Sequence, residues 1–428
     1  MHNAASFLDQ CLGAVAASQY PDFEIIVVDD SSTDNSREMI AKYPVRLIEL
    51  NGKPHGPAYA RNQGAEAATG EIIFFVDADV VIYPDTLTKI ANTFTQRPEF
   101  DALFGSYDEN PGEGDFLSQY KNLFHHFVHQ QAREEGGTFW SGCGAIRRKV
   151  FLEMGGFDVK MYARPSIEDI ELGARLRAAG HRIYVNKDIQ AKHLKRWTLK
   201  GLIKTDVFDR AIPWTLLILR QRHLPNDLNL TTEQRLSALL LVALLFYLTL
   251  SFPLIPFALL LLWIVLFFLI VSSFRFDHGP AIPDMSWTAL AIRLLIILSI
   301  VGLAIYGNTI QLLLPLALIF LTILISTMLP NPGKSFRDFL FAAMILVFAS
   351  GFAVLFFGHS ILNGIVISMV LLIIVTLNYS LYRFFVQKRN IIFALAAIPF
   401  HFLYYFYSVL AFAIAIGIHF WNAILKSA

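Results

Sequence analysis

The sequence predicts an α/β domain built on a mostly parallel sheet, followed by an all-α membrane region. Three observations predict it. Charged residues and Gly/Asp turn signals run up to about residue 232, whereas from 236 to 421 long uncharged apolar stretches dominate, each near the roughly 20 residues that a helix needs to cross a bilayer. In the first part, short apolar strands alternate with amphipathic helices, the pattern of a sheet covered by helices. One of those strands, Ile72-Ile73-Phe74-Phe75-Val76, ends in Asp77-Ala78-Asp79. Acids at the carboxyl end of a buried strand stand where open sheets bind ligands.

Residues 4–18 read as a helix with Phe7, Leu8, Cys11, Leu12 and Val15 on one face, ended by Tyr20-Pro21-Asp22. Residues 23–30 form a buried strand that closes on Asp29 and Asp30. These acids are either a polar strand end before an Asx-type turn or a ligand contact. Ser31-Ser32-Thr33-Asp34 supplies capping groups for a helix to residue 42. A strand over 45–50, a helix over 58–68, the D-x-D strand and a helix over 85–96 complete the alternation. The two acids of D-x-D have their side chains on the same side of the chain, which suits a hard divalent cation carrying a phosphate.

Further on, Trp140-Ser141-Gly142-Cys143-Gly144-Ala145 reads as a Gly-rich turn whose backbone can approach a ligand closely. Cys143 reads as a packing residue, with no His in the local sequence to activate it. Ser166 and Asp169 have the spacing of a capping box. His125, His126 and His129 read as a polar helix face. The chain of 428 residues carries a formal net charge of +1 and two cysteines. That balance argues against nucleic acid as a partner, and the cysteine count argues for a reducing compartment without a disulfide framework. Met1-His2-Asn3 lacks the basic start of a secretory signal.

Taken together, Pro-Asp-Phe-Glu-Ile-Ile-Val-Val-Asp-Asp-Ser-Ser-Thr-Asp, Gly-Pro-Ala-Tyr-Ala-Arg-Asn-Gln-Gly-Ala-Glu-Ala-Ala-Thr-Gly-Glu and Phe-Val-Asp-Ala-Asp resemble, in order, the motifs of family 2 inverting glycosyltransferases of GT-A fold. The resemblance covers residues 1 to about 200. It implies that Asp30, beside Asp29, contacts a nucleobase and that Arg61 lies next to the nucleotide. Asp77 is implied near the ribose and Asp79 on a Mn²⁺ or Mg²⁺ bridging the diphosphate. The stretch around Gly142 is implied beside the donor sugar and acceptor. In the segment Ser166-Ile167-Glu168-Asp169, the family's general base corresponds to Asp169, with Glu168 in support. His193-Leu194-Lys195-Arg196-Trp197 occupies the slot where processive polymer synthases carry Gln-x-x-Arg-Trp. There His193 resembles a further metal ligand, Arg196 a partner for diphosphate, and Trp197 a sugar-stacking or membrane-interface residue.

Family members begin with a strand ahead of the first helix, and this sequence starts at Met1-His2-Asn3. The expectation is a fold lacking its first strand, with the natural protein extending upstream. The competing reading is a degenerate, inactive scaffold.

Residues 1–195 are thus expected to form the glycosyltransferase domain, 196–232 an amphipathic segment lying in the bilayer interface, and 233–428 a transmembrane domain of about seven helices. In the interfacial segment Leu199, Leu202, Ile203 and Val207 share one face, and Pro213 ends the helix. Spans are expected at 236–252, 255–274, 288–306, 309–329, 339–357, 361–379 and 399–421, with 391–398 along the interface. Lys and Arg gather on alternate connections, which puts the catalytic domain on the cytoplasmic side of a bacterial inner membrane. His401 is the one ionisable residue expected deep within a span. The expected activity is transfer of a sugar from a UDP-sugar to a lipid or glycan hydroxyl. A processive polysaccharide synthase is the alternative, disfavoured by His in place of Gln at 193.

Overall fold

A computed structural model of the protein describes residues 1–222, 224–251 and 361–427. The chain divides into two compact units. One comprises residues 1–113, 121–231 and 411–428, and the other residues 114–120 and 232–410.

The first unit opens with α1 (Ala5–Ala16), β1 (Ile26–Asp30), α2 (Ser36–Ile40), β2 (Arg46–Leu50), α3 (Pro57–Ala67) and β3 (Ile72–Val76). These follow the order read from the sequence. Helix α1 buries Leu8 and Leu12 against Val27 and Ile40, as its apolar stripe requires, and its buried Cys11 thiol donates to the Asp77 carbonyl at 3.6 Å. Strand β1 pairs with β2 in parallel, Ile26 opposite Arg46 through Asp30 opposite Leu50. Helix α3 starts with Pro57 in its first turn, a position that suits a residue without an N–H. After β3 come β4 (Val80–Ile82), α4 (Thr86–Gln96), β5 (Ala102–Tyr107), α5 (Phe116–Gln131), β6 (Cys143–Arg147), α6 (Arg148–Glu153), α7 (Glu168–Ala178) and β7 (Ile183–His193).

The second sheet runs β3-β6-β5-β7-β4 and is mixed, which corrects the expectation of a mostly parallel one. Strands β3 and β5 both pair antiparallel with β6, and β4 pairs antiparallel with β7, whereas β5 and β7 are parallel. The decisive element is β6, which takes Cys143, Gly144 and Ala145 out of the stretch read as a Gly-rich turn and leaves Ser141 and Gly142 as the turn before it. Its small residues have low strand propensity, but they are demanded by what packs on them. A Cβ at Gly144 would lie 2.2 Å from the Trp140 carbonyl oxygen, and one at Gly142 would lie 2.6 Å from the Trp140 indole. The glycines therefore admit Trp140 and leave the backbone free to complete the sheet.

Strands β1 and β2 form a separate two-stranded sheet. Along β1 the Met1 amine donates to the Val28 carbonyl at 2.7 Å and the Asp30 amide donates to the Met1 carbonyl at 2.8 Å.

Two further expectations change. His126 and His129 are buried and hydrogen-bond through Nδ1 to the Tyr107 and Gly105 carbonyls of β5. They belong to the inner face of α5, because helical spacing is the same for a face turned in or out. After β7, the chain forms α8 (Leu199–Lys204), a π-helical stretch Thr205–Ala211 and α9 (Ile212–Gln221). Leu202 and Val207, expected to face lipid, are buried in the protein, while Phe208 is 54% exposed beside the exposed Lys204. Pro213 sits in the first turn of α9 and starts that helix instead of ending one.

The other unit contains α10 (Thr232–Ser251), α11 (Ile361–Leu377), α12 (Tyr379–Lys388) and most of α13 (Ile391–Ser427). The expected spans at 236–252 and 361–379 fall on α10 and α11. Residues 391–398, expected to lie apart along the interface, are continuous with 399–421 in α13, and Pro399 is accommodated within it. The four expected spans between 255 and 357 lie outside the described residues. Among the described residues, Ile391–Asn422 is long and apolar enough to cross a membrane, and Ile365–Leu377 with Tyr379–Lys388 form a pair bent by 66°. At that bend Asn378 donates to Ser237 Oγ at 3.0 Å and accepts from Gln234 at 3.0 Å and from the Tyr405 hydroxyl at 2.8 Å. This network satisfies the polar groups exposed by the break. His401 is buried, its Nδ1 3.0 Å from the Tyr382 hydroxyl.

Candidate active site

Arg61, one turn into α3, joins the acids that the sequence places far apart. Its Nη2 donates to Asp77 Oδ1 at 2.6 Å and its Nη1 to Glu168 Oε1 at 2.8 Å. The neighbour of Glu168, Asp169, accepts through Oδ2 from the Ser141 amide at 3.0 Å and the Ser141 hydroxyl at 3.1 Å. The next carbonyl, that of Gly142, accepts the Asp77 amide at 3.5 Å. A closed circuit thus runs from Asp77 through Arg61 and Glu168 to Asp169, and back through Ser141 and Gly142. It brings the end of β3, the start of β6 and the start of α7 to one rim.

Asp169 is not the partner in a capping box. Helix α7 has Ile167 at its N-cap with no side-chain cap, the Ser166 amide donates to Glu168 Oε2 at 3.0 Å, and Asp169 Oδ1 accepts the Ile170 amide at 2.8 Å. Burial first, and the like charge of Glu168 second, push the Asp169 carboxyl up to about 6, against the pull of the Ser141 amide and Arg61. A carboxylate with its pKa raised in this way is suited to accept a proton near neutral pH.

Asp79 stands with His193, the last residue of β7, at 3.5 Å between Oδ2 and Nε2. The ladder holds them together, since Val80 pairs with His193 and the Leu194 amide donates to the Asp79 carbonyl at 2.8 Å. Burial would raise the Asp79 carboxyl, but the hydrogen bond and charge of His193, with Lys195, hold it below the usual carboxylate range. The His193 ring stacks on Tyr107 at 4.1 Å, and Tyr107 meets Trp140 edge-on at 4.9 Å. One carboxylate oxygen and one imidazole nitrogen at this spacing fit a borderline divalent cation such as Mn²⁺. Among the described residues no group of three or more His, Cys, Asp or Glu that could hold a metal ion occurs.

Asp29 and Asp30 part company at the end of β1. Asp29 is fully buried, pairs with Arg37 and accepts the Ser32 amide at 3.2 Å, so its carboxylate is engaged in holding the β1–α2 turn. Asp30 is 4% exposed and accepts the amides of His55 and Gly56, each at 2.8 Å, with His55 Nδ1 at 3.2 Å. Gly56 has φ +93° and a Cβ there would lie 2.4 Å from the Ala163 carbonyl oxygen. Gly56→Ala is expected to destabilise the protein by about 1–3 kcal/mol, read as a lower melting temperature, whereas Gly52→Ala, with open space around it, carries only the backbone penalty.

The Met1 ammonium lies within electrostatic reach of Arg61, Asp29, Asp30 and Asp77, which puts the end of β1 on the same side as the circuit. Trp197 is not open to a sugar, because its ring is buried with Lys195 Nζ 4.4 Å and Lys121 Nζ 5.8 Å from its centroid. Arg196 is exposed beside it. Burial pushes the Cys143 thiol up to about 12, in keeping with a packing role. Sequence reasoning missed Ser141, His55 and Tyr59. The last two rings stack at 4.8 Å next to Asp30, and nothing periodic in Lys53-Pro54-His55-Gly56 announces them.

Residues 1–155 match the family model described as Glycosyl transferase family 2. The poly(ribitol-phosphate) beta-N-acetylglucosaminyltransferase TarS of Staphylococcus aureus is 31% identical over 126 residues, 28% of this chain and 22% of that protein. The glycosyltransferase GlyG of Streptococcus pneumoniae is 32% identical over 120 residues, 26% of this chain and 39% of that protein. The matched segment therefore spans well under half the length of either relative. Among solved structures, residues 1–349 of S. aureus TarS in complex with UDP-GlcNAc align at 22% identity with a TM-score of 0.37, over 46% of this chain and 57% of that one. The segment matched by the glycosyltransferase family 2 model, residues 1–155, is the one that carries Asp30, Arg61, Asp77, Asp79 and Ser141.

Proposed function

We propose that the chain is a membrane-bound, metal-dependent, inverting glycosyltransferase. It moves a sugar from a nucleoside diphosphate donor, with uridine as the nucleoside, to a hydroxyl of a lipid or glycan acceptor. The observation that carries this reading is the Arg61 bridge, which sets the D-x-D acid Asp77 and the Glu168-Asp169 pair on one rim. In the reaction, the Asp169 carboxylate takes the proton of the acceptor hydroxyl as its oxygen attacks the anomeric carbon. The bond from that carbon to the diphosphate oxygen breaks on the opposite face, so the configuration inverts and the nucleoside diphosphate departs. Ser141 holds Asp169 in place, and Arg61 fixes Asp77 for the ribose side of the donor. When bound by Asp79 and His193, a divalent cation supplies Lewis-acid stabilisation of the leaving diphosphate. The names of relatives that transfer N-acetylglucosaminyl or glucosyl groups to poly(ribitol-phosphate) support a glycan-type acceptor.

Membrane attachment is supported by the apolar length of Ile391–Asn422 and by the outward apolar side chains Leu239, Phe246, Met369 and Phe406, since water-soluble surfaces rarely gather so many. The test is sugar transfer from a panel of UDP-sugars in detergent, with Mn²⁺ or with a chelator. Asp79→Asn is expected to cut turnover by at least about 100-fold with the melting temperature retained, the loss of several kcal/mol of charge stabilisation. Equal turnover with Mn²⁺ and with the chelator would remove the metal from the reaction.

A further inference from the structure

The Asp30 carboxylate, at the place where a nucleobase is expected, is almost wholly covered. It accepts two consecutive backbone amides and lies 3.2 Å from His55 Nδ1. What stands at the surface in its place is the His55 imidazole, 39% of whose side chain is exposed. One face of the ring rests on Tyr59, at 4.8 Å and 22° between planes. Nε2 and the opposite face have no protein partner among the described residues. Tyr59 and Arg61 lie in the same helix, so the ring is held at the edge of the rim that Arg61 organises.

Building on the proposed nucleotide-sugar activity, we infer that His55 is the group that reads the nucleobase, and that Asp30 acts behind it by fixing its position and tautomer. A carboxylate only accepts hydrogen bonds, so Nδ1 facing Asp30 carries the proton. In that tautomer Nε2 offers a lone pair. That acceptor matches a base with a ring N–H, such as the N3–H of uracil. It opposes cytosine, whose N3 is itself an acceptor, leaving two lone pairs face to face. Discrimination of this kind arises because a site built to accept a hydrogen bond leaves a polar group unpaired against the wrong partner. The Tyr59 ring limits rotation of the imidazole, and the two amide bonds from His55 and Gly56 limit movement of the loop.

Calorimetry on the full chain in detergent with Mn²⁺, using UDP, CDP and inorganic pyrophosphate, tests the assignment. The wild-type protein is expected to bind UDP at least about tenfold more tightly than CDP. In His55→Ala that ratio falls towards one, while pyrophosphate binding is unchanged. His55→Phe keeps a ring on Tyr59 but has no acceptor, and it is expected to lose the ratio too. Either variant retaining the wild-type UDP-to-CDP ratio overturns the inference, including the case in which both nucleotides weaken equally, which marks a packing role for the loop. Wild-type protein that binds none of the three ligands overturns the nucleotide-sugar reading itself, and the assignment of His55 with it.

Discussion

Asp169→Asn is expected to lower turnover by about 10²–10⁴-fold, the range for loss of a positioned general base, while leaving the affinity for UDP unchanged. The amide is nearly isosteric and can still accept from Ser141 or Ile170, so the rim stays in place, but it takes no proton. The pH profile of the wild-type enzyme carries the same information independently. Burial and the neighbouring Glu168 push the Asp169 carboxyl up to about 6, so the proton-accepting form is lost as the pH falls through that value. The expected kcat/KM is therefore level at neutral pH and declines on an acid limb with its midpoint near 6. Because Glu168 and Asp169 are adjacent acids, the limb belongs to the pair. Glu168→Gln removes the like charge and turns the pull of Arg61 more fully onto Asp169, so the limb moves to lower pH. A profile flat down to the ordinary carboxylate range, or an Asp169→Asn enzyme with wild-type turnover, would take the proton-accepting role from this residue.

The parts of the site legible in the sequence were those announced by strand ends. Asp30, Asp77 and Asp79 follow runs of buried apolar residues, and the structure sets them at the ends of β1 and β3. Helix α3 matches the helix expected over 58–68, and Arg61 on it is singled out by the family resemblance. The less legible parts share one physical cause, which is that the residue pattern records burial without recording what covers it. Gly142 is in the turn that the sequence suggests, yet Gly144 is a strand residue, and both are kept small by the Trp140 ring and carbonyl packed on them. His126 and His129 look like a polar face, yet their ring nitrogens satisfy carbonyls of β5. Leu202 and Val207 carry a periodicity that serves a bilayer or a protein core equally well, and here the core takes them. Asp29 and Asp30 are adjacent and identical, and alternation along β1 gives one to Arg37 and the other to the His55 loop.

Arg61→Met is expected to unfold the rim as well as silence it. The guanidinium is largely buried between Asp77 and Glu168, with 18% of its side chain exposed. Burial alone would make it easier to deprotonate, and the charges of Asp77 and Glu168 more than offset that and keep it firmly cationic. Methionine fills much of the same volume but leaves two carboxylates facing each other, with Asp169 close behind. Stranding one side of a buried pair costs about 3–5 kcal/mol. Because the Asp77 side chain is 36% exposed, water recovers part of that, and the lower end of the range is the expected loss in a denaturation experiment. The loss should be cooperative with Glu168. Adding Glu168→Gln to Arg61→Met removes the better buried of the two stranded charges, with 6% of its side chain exposed, and is expected to restore part of the lost stability. Activity should not return with it, since Asp77 remains unpaired and the base has lost both its charged neighbours. If the two substitutions instead add without coupling, Arg61 does not tie the D-x-D strand to the Glu168-Asp169 segment, and the common rim on which donor and acceptor are meant to meet loses its keystone.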